Sequence, residues 1–182
     1  MEKETKEFIE TWNARLERIK GDNLEDIFQR FEALYVLHNR LYNESFKILN
    51  DSGKLTKARY ADYEMASIVV IEYLSADVLF NGLKENNNLE DIESVAKLIE
   101  NKVFHINIAN GVPQQEFDDL LLENLRSTDR NIFCKAVLMT IYNVRSNTVH
   151  GQKHFQEYQR LLLEPLTRIL STVTKLQIES QQ

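Results

Sequence analysis

The chain has 182 residues, 43% of them apolar and 27% charged, with a formal net charge of −6. That length suits one domain able to bury roughly two thirds of its unfolded surface. Five glycines and two prolines are too few for an all-β domain, which needs a turn about every ten residues, and the negative charge argues against a non-specific nucleic-acid binder.

The single cysteine, Cys134, excludes an intramolecular disulfide and suits a reducing compartment. The opening "MEKETKEFIE" is charged throughout and carries no secretory signal. The apolar stretch "ASIVVIEYLSADVLF" is interrupted by Glu72 and Asp77, so no uncharged run of membrane-spanning length is present. The expectation is a soluble, cytoplasmic protein with no membrane partner.

Taken in chain order, the pattern is helical almost throughout. Residues 2–19 place Phe8, Trp12, Leu16 and Ile19 at three- and four-residue spacing. Gly21 ends that stretch, and Asp22 or Asn23 caps the next helix. The second helix carries Phe28, Phe31, Leu34, Tyr35, His38, Leu41 and Tyr42 on one face and continues to about Leu49, before the turn "NDSGK". A third long helix is expected from about Lys57 to Leu83, apolar nearly all round at its centre. A shorter one follows from Leu89 to about Asn101.

"KVFHINIANGV" alternates like a strand but has no evident partner, so a loop closed by Gly111 is expected. Pro113 suits the first turn of another helix, which runs to Leu125. Ser127 and Asp129 are cap candidates for an apolar helix over 131 to about 146. Gly151 breaks the chain there, and a last helix extends from about Gln152 to Gln177, with Pro165 marking a kink or a join. The fold class is therefore an all-α, single-domain bundle, with residues 1–22 as an N-terminal helix and 23–182 as the bundle.

The stretch "NVRSNTVHGQK", residues 143–153, holds the candidate chemistry. Arg145 and His150 stand five apart, a spacing that turns them by roughly 140° on a continuous helix. They converge only if the helix ends between them, and Asn147, Thr148 and Val149 are weak helix formers. His150 would then sit beside the exposed backbone donors of the last helix, which suit an anion, with Lys153 adding charge. Arginine's fork can hold two phosphoryl oxygens, and histidine can move protons to and from ribose and leaving-group oxygens near neutral pH. Metal-free RNA cleavage needs an acid and a base. A two-fold dimer apposing the motifs would supply the second histidine.

"RSNTVHG" near the start of the final helix of an all-α bundle resembles the signature of the HEPN superfamily, and the "HGQK" ending is similar to its Apea-like branch. "RFEALYVLHNRLYNESF" also resembles that branch's aromatic-rich helix, at Phe31, Leu34, Tyr35, Asn39 and Tyr42. Ser146 departs from the asparagine that members commonly carry after the arginine. The resemblance implies a homodimeric, metal-independent endoribonuclease with Arg145 and His150 catalytic, and a role in toxin–antitoxin, phage-defence or RNA-processing systems. Asn147 would orient the pair, Lys153 would assist with charge, and Asn39 and Tyr42 would support the cleft. RNA is the expected substrate, an antitoxin protein a partner, and no metal or cofactor is expected. Some members act without catalysis, so a nucleotide-, RNA- or protein-binding module is the competing reading.

The remaining polar residues have plainer readings. His150 and His154 share a zinc-ligand spacing, but no cysteine or carboxylate stands ready to complete the shell. His38 reads as a satisfied core or interface histidine, Cys134 as core, and the stripe from Phe28 to Tyr42 as packing. The run "EFDDLLLENL" reads as a solvated acidic face with Phe117, Leu120, Leu121 and Leu125 turned inward. His105 sits in the ambiguous loop and supports no functional reading.

Overall fold

The computed structural model describes residues 2–150 and 156–181, and the described residues form an all-α, single-domain bundle. Helix α1 is Lys3–Arg18, α2 Leu24–Asp51, α3 Asp62–Leu74, α4 Ala76–Glu85 and α5 Asn88–Glu100. A two-stranded ladder follows, β1 (Ile108–Ala109) with β2 (Val112–Pro113), and then α6 Gln115–Leu125, α7 Arg130–His150 and α8 Arg160–Gln181.

Two helices form the axis of the bundle. Asn23 Oδ1 accepts from the Asp26 amide at 2.9 Å and caps α2. From there Phe31, Leu34, Tyr35, Leu41 and Tyr42 recur at helical spacing and are buried. They pack along α8, whose Leu166, Ile169, Leu170 and Val173 are equally enclosed. α1 lies outside this axis on a smaller core of Ile9, Leu37 and Leu41. The Thr5 hydroxyl donates to the buried Glu44 at 2.9 Å and ties α1 to α2.

The long helix expected over 57–83 is divided. It starts at Asp62, and its two limbs α3 and α4 meet at 92°. The bend falls at Ser75, which takes φ 69° and ψ 150° and uses its hydroxyl to accept from the Val78 amide at 3.3 Å. Apolar periodicity does not register such a corner, because the residues on both limbs are buried: Val69, Val70 and Leu74 before it, Leu79 and Leu83 after. Among the described residues no single helix is long and apolar enough to cross a membrane.

The alternating stretch does have a strand partner. Ile108 pairs with Pro113 and Ala109 with Val112, antiparallel, around Asn110 and Gly111 at φ 51° and 77°. Positive φ at both central residues is what a tight hairpin needs, and Asn-Gly supplies it. Pro113 thus ends a short ladder, where its missing donor is tolerated, rather than opening a helix. α6 begins at Gln115.

On α6 the solvated-face reading is reversed in part. Asp118 is 1% exposed, whereas Phe117 and Leu120 are 59% and 52% exposed; Leu121 and Leu125 do turn inward. Asp129 caps α7, accepting at Oδ1 from Asn131 and Ile132 amides at 2.8 and 3.1 Å. α7 then runs through His150 rather than stopping near 146. Cys134 is fully enclosed, as expected of a core residue. The last helix begins at Arg160 after a short tight turn over Glu157–Gln159, and Pro165 lies inside it.

Candidate functional site

The C-terminal half of α7 passes between two polar clusters on opposite sides. The first faces α2 and α3. The Arg145 guanidinium sits over the Tyr35 ring, 5.0 Å from its centroid, a contact worth about 0.5–2 kcal/mol. Glu32, one turn before Tyr35 on α2, has its carboxyl pushed up by burial and held back by the Arg145 charge. Tyr42 Oη donates to Asp62 Oδ1 at 3.0 Å and receives the Asn39 side-chain amide. Burial raises the pKa of Tyr35, Tyr42 and Tyr142, with the Asp62 charge adding to each. The buried atoms Tyr35 Oη and Glu32 Oε1 have no hydrogen-bond partner among the described residues.

His38 closes this side from below and is fully buried. Its Nδ1 lies 2.8 Å from Gln177 Oε1 and its Nε2 3.3 Å from the Ala66 carbonyl. Burial lowers its pKa, favouring the neutral ring. A neutral ring satisfies both contacts by donating Nε2–H to Ala66 and accepting at Nδ1 from the Gln177 NH₂ group. A half-turn of the Gln177 amide supplies that donor, and it employs a nitrogen that is otherwise buried without a partner. His38 is the satisfied core histidine the sequence suggests.

The second cluster faces the segment 104–113. Asp118 is its anchor. Oδ1 accepts from the Ile106 amide at 3.2 Å, the Asn107 amide at 2.8 Å and Asn107 Nδ2 at 2.9 Å. Oδ2 meets His105 Nδ1 at 3.0 Å. Two asparagines of α7 complete the arrangement: Asn143 Nδ2 donates to Asn107 Oδ1 and Asn147 Nδ2 to the Ile106 carbonyl, each at 2.9 Å. These bonds explain why α7 outlasts its weak helix formers. Propensity deficits of a few tenths of a kcal/mol per residue are small against two side-chain bonds of about 1 kcal/mol each. Beside the cluster opens a cleft of about 500 Å³, lined by Phe28, Phe104, His105, Asn147, Tyr158 and Leu162 among others.

The expected residues divide between these clusters. Arg145, Asn39 and Tyr42 come together on the α2 side, through Tyr35 and Asp62. The Asn147 side-chain amide donates to the loop on the other side, at the Ile106 carbonyl. The break expected between Arg145 and His150 is absent, since both lie on one helix. The side chain of His150 lies outside the described residues, as do Lys153 and His154. Among the described residues no three His, Cys, Asp or Glu side chains are grouped to hold a metal ion.

Sequence reasoning missed His105 and Asp118. Thirteen residues separate them, so no spacing rule links them. The chain matches no protein-family model, no curated protein and no solved structure.

Proposed function

We propose that the chain is a HEPN-like, metal-independent endoribonuclease that acts as a homodimer. The observation that carries this reading is the guanidinium of Arg145, 5.0 Å over the Tyr35 ring and close to Glu32, on the helix that leads to position 150. Arginine's planar fork is the form that binds phosphoryl oxygens and offsets charge on a pentavalent phosphorane. Histidine at 150 transfers protons to or from ribose and leaving-group oxygens. α7 runs unbroken from Arg145 to position 150. A two-fold partner brings an arginine and a histidine of different chains to one phosphate.

The test is RNA cleavage by His150→Ala and Arg145→Gln. Both lose cleavage while their circular dichroism and dimer mass stay those of wild type; undiminished cleavage by His150→Ala removes the assignment.

A second reading, a non-catalytic RNA-, nucleotide- or protein-binding module, draws support from the same unbroken helix and from the net charge of −6. In that case wild-type protein binds its partner through this end of α7 and leaves RNA intact. Toxin activity restrained by an antitoxin is compatible with the first reading.

A further inference from the structure

The segment 103–113, α7 and the start of α8 border the cleft of about 500 Å³, a size within the range of small-molecule sites. Its walls are chiefly apolar. The Phe104 and Tyr158 rings meet there with centroids 5.2 Å apart, and Val144 and Leu162 line it as well. Among the described residues the lining includes no Lys, Arg, Asp or Glu. An ion entering the cleft would shed water with no opposite charge to meet, so the lining suits an uncharged molecule. Val103 and Tyr158 border it while 47% and 46% exposed, leaving apolar surface in water.

One polar group in this lining has its direction set from behind. His105 Nδ1 lies 3.0 Å from Asp118 Oδ2. Asp118 is 1% exposed, and its other oxygen already accepts N–H bonds from Ile106 and Asn107. An acceptor held in this way selects the tautomer with hydrogen on Nδ1, which leaves Nε2 of the neutral ring as an acceptor. The Nδ1 edge faces the buried carboxylate, so the 31% exposure of the side chain belongs mainly to the opposite edge, which carries Nε2.

We infer that this cleft is a binding site for an uncharged aromatic small molecule, mono- or bicyclic, that donates one N–H or O–H to His105 Nε2. The ligand ring packs against Phe104 and Tyr158, where aromatic pairs gain beyond their buried area. The single directed acceptor fixes its orientation, as a few placed polar groups do in apolar pockets. The site goes beyond the ribonuclease reading and does not depend on it.

The experiment titrates the full chain with 2-naphthol and with 2-methoxynaphthalene, which keeps the rings and removes the donor. Backbone amide resonances and the ring nitrogens of His105 are followed by NMR. The expected result is saturable 2-naphthol binding, with shifts concentrated at 103–113, 144–147 and 158–163 and a move of the Nε2 resonance. 2-Methoxynaphthalene binds about tenfold or more weakly, the loss expected for one unmade hydrogen bond to an enclosed acceptor. In His105→Phe, which keeps a ring and removes the acceptor, the two probes come within about threefold of each other. Tyr158→Ala, at an exposed position, weakens both by about fivefold or more. No saturable binding of either probe overturns the inference, as do equal affinities for wild type, an undiminished preference in His105→Phe, or shifts centred elsewhere. Should His105→Phe fail to fold, the two probes on wild type still decide. The outcome of RNA cleavage assays bears on the ribonuclease reading alone.

Discussion

The side-chain amide of Asn147 on α7 donates to the main-chain carbonyl of Ile106, 2.9 Å away. With the Asn143–Asn107 bond, it joins the helix that carries Arg145 to the loop that carries His105. Ile106 is itself 1% exposed, so its carbonyl has few other partners.

Asn147→Ala therefore leaves a buried carbonyl unsatisfied, at a cost of about 1–3 kcal/mol. Urea unfolding reads the loss, and hydrogen exchange should speed up at the amides of 104–110 while those of α2 and α8 hold. Unchanged exchange in the loop would show that Asp118 and Asn143 hold it without Asn147.

His38 makes stability depend on pH. Its pKa is lowered in the fold from the usual 6.5 by burial, so the unfolded chain takes up a proton first as pH falls. The stabilisation is full above pH 6.5 and is lost below it, at about 1.4 kcal/mol per pH unit from this group until the folded ring also protonates. Urea midpoints between pH 7.5 and 5 follow this slope in wild type. The slope is shallower in His38→Gln, which keeps hydrogen-bonding capacity but not the titration; equal slopes contradict the assignment.

Ser75 holds φ 69° and ψ 150° at the 92° corner between α3 and α4, a region that costs a non-glycine residue about 1–3 kcal/mol. Glycine relieves the backbone and gives up a cap worth a few tenths of a kcal/mol against glycine. Ser75→Gly should stabilise by about 1 kcal/mol, and Ser75→Val should destabilise by more than that. A thermal melt of the two variants gives the signs.

Helix positions were largely legible in the sequence, because spacing of residues such as Phe31, Leu34, Leu41 and Tyr42 states a buried face directly. The breaks were less so. At Ser75 the apolar pattern runs on through the corner, and at Asn147 a tertiary bond overrides a weak local preference. The stretch before Gly111 did alternate like a strand, but its partner, Val112–Pro113, is only two residues long and so was read as loop. Of the candidate site, Arg145, Asn39 and Tyr42 could be singled out because a motif and a helix face carry them. His105 and Asp118 could not, since their meeting depends on how α6 folds back on the preceding loop.

The proposed cleavage of RNA through its 2′-hydroxyl, without a metal, is open to direct test. The direct measurement is end-group analysis of RNA incubated with pure protein in chelator. Fragments ending in 2′,3′-cyclic phosphate and beginning with 5′-hydroxyl are the predicted result. Intact RNA, or fragments with 3′-hydroxyl and 5′-phosphate ends, would contradict it.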